Sequence, residues 1–224
     1  MNLKRTIINN MNNDIKKFQK AYLLFALAQF FIILSLFSYG ANIKALSELF
    51  FLFDFFSIVG AILMIIAATR LVFINRNCFY FFVSTMFYFF ISLLATIGNE
   101  STEDLTVAIA RGLNTSSTLL ICMVYVYFFL GTRDYFKENG LTGNIKSSKL
   151  GYIWVISCTA LLMIIGIIKP WNSVKTNYVL TSILRYGSLL LELALYVFVL
   201  VILIMMLIYM KKRRKEIENN GKEE

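Results

Sequence analysis

Apolar residues gather into long runs at positions 21–39, 46–69, 78–97, 105–130, 151–168 and 186–210, separated by short polar segments. About 20 such residues, wound as a helix, cross the roughly 30 Å hydrocarbon layer of a bilayer. Each run is long enough to do so. The pattern predicts an all-α, polytopic membrane protein built as a bundle of six transmembrane helices.

The polar segments between runs alternate between rich and poor in lysine and arginine. Lys4, Arg5, Lys16, Lys17 and Lys20 precede the first run, and Arg70 and Arg76 follow the second. Arg133, Lys137, Lys146 and Lys149 follow the fourth, and Lys211, Lys212, Arg213, Arg214, Lys215 and Lys222 follow the sixth. The opposite ends carry only Lys44, Lys169, Lys175 and Arg185. By the positive-inside rule this bias places both termini in the cytoplasm. Segment 98–104, with Glu100, Glu103, Asp104 and no base, then falls outside, as the topology requires. The expected organisation is a basic N-terminal segment at 1–20, a transmembrane domain at 21–210 and a charged cytoplasmic tail at 211–224, in the cell membrane.

Composition agrees with this reading, since 58% apolar residues and a single proline are unlike a soluble domain of 224 residues. The net charge of +9 would suit nucleic acid, but topology already accounts for where the bases sit, and no nucleic-acid partner is expected. The expected partners are the lipid bilayer and anionic lipids at the basic cytoplasmic segments. A membrane-protein partner or a homo-oligomer stays open. The tail at 211–215 is read chiefly as a stop-transfer signal for the last helix.

The first run reads as an uncleaved helix, because it exceeds a signal-peptide core of about 7–15 residues and Phe37-Ser38-Tyr39-Gly40 is a poor cleavage site. Ahead of it Leu3, Ile7, Met11, Ile15 and Phe18 recur at spacings of three or four. Two outcomes are open there: an amphipathic helix on the membrane surface, or fraying at the asparagines of 9–13.

Cys78, Cys122 and Cys158 lie in or at the ends of apolar runs, so disulfides are not expected, and Cys78 is read as a packed side chain rather than a palmitoylation site. The chain has no histidine, which removes bis-histidine haem, histidine-dependent zinc sites and Ser–His pairs. No cofactor and no metal site are expected. Sequence patterns for an intramembrane aspartyl protease, a nucleophile elbow or a nucleotide-binding loop are also missing, and the chain is expected not to be an enzyme.

Chemistry is therefore sought in the polar groups inside the runs, which are costly in hydrocarbon. Arg111, Thr115, Thr118, Cys122 and Tyr125 recur at helical spacing and form one stripe on the fourth run. Ala108, Gly112 and Ser116 form a second, small-residue series expected to admit a neighbouring helix. Glu48 and Asp54 on the second run and Glu192 on the sixth are acids that can answer Arg111. Counting from the basic ends, Asp54 lies about 24 Å above Arg70, Glu192 about 28 Å above Lys211 and Arg111 about 33 Å above Arg133. All belong to the outer third of the membrane. The candidate ligand site is Asp54, Arg111, Thr115, Thr118 and Glu192, with Glu48, Ser57 and Tyr196 as secondary members. A purely structural ion pair is the competing reading. Gln29 is expected to make an interhelical hydrogen bond, and Trp154 and Trp171 to anchor run ends at the interface. Thr69-Arg70 and Thr132-Arg133, each followed by Phe three residues after the arginine, close the second and fourth runs alike.

Two functions fit these features. One is an integral membrane protein that binds, transports or senses a small solute through an outward-facing polar cluster. The other is a noncatalytic accessory, anchoring or protective subunit of another membrane assembly.

Overall fold

The computed structural model describes residues 2–40, 50–99, 104–138, 142–172 and 178–220, with side chains chiefly over 13–36, 55–94, 115–138, 144–166 and 186–216. The architecture is all-helical: α1 (Asn2–Gly40), α2 (Phe50–Leu71), α3 (Arg76–Asn99), α4 (Asp104–Glu138), α5 (Thr142–Asn172) and α6 (Tyr178–Asn220). Helices close their own backbone hydrogen bonds, the requirement for any segment in hydrocarbon. Five carry stretches long and apolar enough to cross a membrane: Asn13–Leu36, Arg76–Leu94, Thr115–Glu138, Asn144–Gly166 and Tyr186–Glu216. In α2 the described apolar stretch, Phe55–Leu71, is shorter. Every helix turns large apolar side chains outward, among them Leu23, Ile58, Phe87, Leu119, Leu161 and Ile208. Such faces need lipid rather than water, and the protein is membrane-embedded.

Several helices run past the apolar stretch that announced them. In α6 the helix continues through the basic residues to Asn220, supported by an Arg213–Glu216 pair at 3.0 Å one turn apart. In α1 it starts at Asn2 and passes unbroken through the asparagines at 9–13 into the first span. Just beyond the asparagines the helix is tied to the bundle: Ile15 and Phe18 are fully buried, and the Phe18 ring packs against Tyr135 at 4.5 Å and Phe136 at 5.4 Å. From Ile15 onward the apolar face of this segment is turned to the bundle.

The helices pack in a ring, each against its neighbours in sequence, and α6 closes on α1. Across the ring, α1 and α4 meet through long side chains in an antiparallel register. Phe18 meets Tyr135; Tyr22 donates a 2.6 Å hydrogen bond to Thr132; Phe25 stacks on Phe128 at 4.6 Å; and Tyr125 donates a 2.6 Å bond to Gln29. Residues 18, 22, 25 and 29 alternate steps of four and three, the heptad spacing that keeps one seam of a helix facing its partner. Ring contacts and hydrogen bonds thus alternate along this seam, and Tyr22, Thr132, Gln29 and Tyr125 satisfy one another across it.

At the lysine-rich end, α3 is fastened to α4. Asn75 caps α3 by accepting a 2.8 Å bond from the Cys78 N–H, while its amide donates to the Gly131 carbonyl at 2.7 Å. Asn77 donates to Asp134 at 2.6 Å, and Asp134 pairs with Arg133 at 2.8 Å. Close approach explains Gly131, since a Cβ there would sit 2.7 Å from Cys78 Sγ and 3.0 Å from its backbone nitrogen. Cys78 is accordingly a buried packing residue.

The matching Thr-Arg pairs do not have matching roles. Thr132 is fully buried and bonded to Tyr22, whereas Thr69 is exposed and bonds back to the Ile66 carbonyl of its own helix. Trp154 also departs from expectation. Because α5 begins at Thr142, this residue lies inside the span, where its ring packs on Phe198 of α6 at 4.5 Å.

Candidate solute site between α4, α5 and α6

Polar side chains on one face of a transmembrane helix must find either a protein partner or a polar cavity. The stripe on α4 finds both. Toward the lysine-rich end, Tyr125 is buried and bonded to Gln29, whose amide also approaches Met64 Sδ at 3.8 Å. Two turns further along, Thr115 and Thr118 instead line a cavity of about 190 Å³. Ser188 and Glu192 of α6 line it as well, and Leu162, Met163, Ile165 and Gly166 of α5 form its apolar wall.

Helical spacing accounts for the convergence. Thr115 and Thr118 are three residues apart and Ser188 and Glu192 four, so each pair presents its side chains from one face. A Cβ on Gly166 would meet nothing within 4 Å, so space is open beside the missing side chain. Deeper in the bundle, two turns from Thr118 and one from Glu192, stand Tyr125 and Tyr196, whose ring centroids are 6.3 Å apart. Nearby, the Ser92 and Ser117 hydroxyls share a 2.8 Å hydrogen bond between α3 and α4.

Among the described lining residues Glu192 carries the only formal charge, set among three hydroxyls. Each of these four polar side chains already has a partner, so an entering solute joins or rearranges an existing network. Carboxylate and hydroxyl oxygens accept hydrogen bonds, and hydroxyls also donate. Such a site suits a small cation, an ammonium group or a hydroxylated molecule. Its volume is below the roughly 300–1,000 Å³ of pockets that hold drug-sized ligands.

Of the residues expected from sequence, Thr115, Thr118 and Glu192 come together. Tyr196 lies one helical turn from Glu192 on α6 but does not line the cavity. Ser57 is not part of the cavity: it is exposed on α2, which packs against α1 and α3, whereas the cavity lies among α4, α5 and α6. Asp54 and Arg111 fall within α2 and α4, but their side chains, like the whole of Glu48, lie outside the described residues. In the small-residue series on α4, Ala108 lies outside the residues with described side chains, while Gly112 and Ser116 depart from expectation, being exposed, with no atom within 4 Å of a Cβ placed on Gly112. Among the described residues, no helix packs against that face at Gly112. The contribution of α5 was not foreseen, for its wall residues are apolar and resemble any lipid-facing or packing residue. Gly166 was the only hint.

No protein-family model, characterised protein or solved structure matches this chain.

Proposed function

We propose that this is a six-span protein of the cell membrane, with both termini cytoplasmic, that binds a small polar solute in the cavity between α4, α5 and α6 as part of transport or sensing. The observation that carries the reading is the shared cavity of Thr115, Thr118, Ser188 and Glu192, which gathers polar groups from two helices opposite an apolar wall. Glu192 is the anchoring acceptor, the hydroxyls orient the solute, and the wall of α5 sets its size. The protein acts without bond chemistry of its own, as a binding unit.

The basic bias supports the six-span topology, with the second span running through the residues that precede Phe55. The accessory-subunit reading draws on one observation, the outward-facing Gly112 and Ser116, which offer a flat face to a helix of another protein.

The test is purification from the native membrane in mild detergent, followed by mass spectrometry of everything retained. A stoichiometric small molecule that disappears in Glu192→Gln, with an unchanged melting midpoint, is the expected result. A stoichiometric protein partner with no small molecule overturns it in favour of the accessory role.

A further inference from the structure

At the lysine-rich end, where α6 closes the ring against α1, an open groove of about 670 Å³ runs between the two helices. Its walls change character at one level. On α6, Ile204, Leu207 and Ile208 give way to Lys211, Arg214 and Lys215 on the same helical face; on the antiparallel α1, Leu23 gives way to Lys20 and Gln19. On both helices the change takes three residues, about 4.5 Å of rise and less than one turn. The result is an apolar channel under a rim of four bases.

Two described acids near this rim are engaged elsewhere. Glu216 is held by Arg213 at 3.0 Å and Asp14 by Lys17 at 3.0 Å, and neither acid lines the groove. Among the described residues no carboxylate pairs with Lys20, Lys211 or Lys215. Several like charges face one concave surface, and the apolar floor beneath them is open to the bilayer, with Leu23, Ile204 and Ile208 all substantially exposed. Attraction of a basic segment to an anionic membrane requires only charge. This arrangement adds a shaped apolar channel directly below the charge, which matches a phosphate joined to an acyl chain.

We infer that the α1–α6 groove is a binding site for one anionic glycerophospholipid, its phosphate held by Lys20, Lys211, Arg214 and Lys215 and an acyl chain laid along Leu23, Ile204, Leu207 and Ile208. The lipid covers the seam where the first and last helices close the ring. The inference is independent of the solute cavity, which lies toward the other end of the bundle.

Native mass spectrometry of the full chain, titrated with dioleoyl phosphatidylglycerol or dioleoyl phosphatidylcholine, tests it. One saturable phosphatidylglycerol is expected, with weaker retention of phosphatidylcholine. Lys211→Gln with Lys215→Gln is expected to weaken the anionic lipid about 30-fold, two bases at about 1 kcal/mol each. Lys16→Gln with Lys212→Gln removes the same charge from exposed positions outside the groove and is expected to change it less than threefold. Ile204→Trp, which fills the channel beneath an intact rim, is expected to displace the lipid. Equal losses in the two double variants, or full retention in Ile204→Trp, reduce the effect to surface attraction and overturn the site. Competition by millimolar glycerol phosphate as effective as that by the lipid also overturns it, because the channel would then contribute nothing.

Discussion

The two ends of this bundle are packed in opposite ways. Toward the lysine-rich end, Phe18, Tyr22, Phe25, Phe81, Phe128, Phe129 and Phe136 are all buried, and a Cβ on Gly131 or Gly151 would run into Cys78 or Phe129. Toward the other end, the sites of Gly112, Gly166 and Gly187 have no atom within 4 Å of an added Cβ, and a polar cavity opens among α4, α5 and α6. Between membrane helices, association depends on close packing and on hydrogen bonds rather than on a hydrophobic drive. The closed end therefore holds the helices in register, while the described part of the other end is packed less tightly.

This division makes substitutions at the two ends separable. The largest effect is expected at Phe128, whose ring meets those of Tyr22, Phe25, Phe81 and Phe129. Phe128→Ala should destabilise by about 3–5 kcal/mol. Its melting midpoint in detergent should fall further than that of any variant discussed below; a midpoint equal to wild type would show that the aromatic column is not what holds the ring.

Next is Gly131→Ala, which drives a methyl group against Cys78 Sγ and, more seriously, against its backbone nitrogen. Overpacking of this kind costs about 1–3 kcal/mol. The matched change Gly112→Ala meets open space and should leave stability equal or raise it by up to about 1 kcal/mol, through helix propensity. If both alanines destabilise equally, the contrast between the ends fails.

A smaller effect is expected where Tyr125 reaches Gln29. Tyr125→Phe removes the donor and leaves a buried amide oxygen without it, at a cost of about 1 kcal/mol in a membrane setting. The double variant with Gln29→Leu should be no worse than Tyr125→Phe alone, and a thermodynamic cycle measures the coupling.

How much of this was legible beforehand differs between the ends for a physical reason. The helices and their approximate spans follow from apolar run length, which lipid imposes directly. Thr115, Thr118 and Glu192 were legible because polar groups in an apolar run are costly and therefore conspicuous. Gln29 was read correctly as an interhelical hydrogen-bonding residue for the same reason. The partners of the aromatic column were not legible, because Phe25 and Phe128 look identical in sequence to the lipid-facing Phe87 and Phe90, and only the ring arrangement separates them. Membrane hydropathy does not distinguish a side chain turned to lipid from one turned to the core. The same ambiguity hid the α5 wall of the cavity and gave the outward Gly112–Ser116 face the appearance of an internal seam.

The smallest stability effect should belong to the residue with the largest functional one. Glu192 lies in the loosely packed end, on a cavity with room to relax, and glutamine keeps its shape and its carbonyl acceptor while removing the charge. Glu192→Gln should stay within about 0.5 kcal/mol of wild type, the range of substitutions that disturb no packed core. Solute retention should nevertheless fall sharply, because the charged acceptor is gone. Thr118→Val offers the complementary change, since it removes a hydroxyl from the same cavity and leaves the carboxylate in place. A Glu192→Gln protein that melts as early as Gly131→Ala would assign the carboxylate to the scaffold. The open end would then be held together by its polar network, much as the closed end is held by its rings.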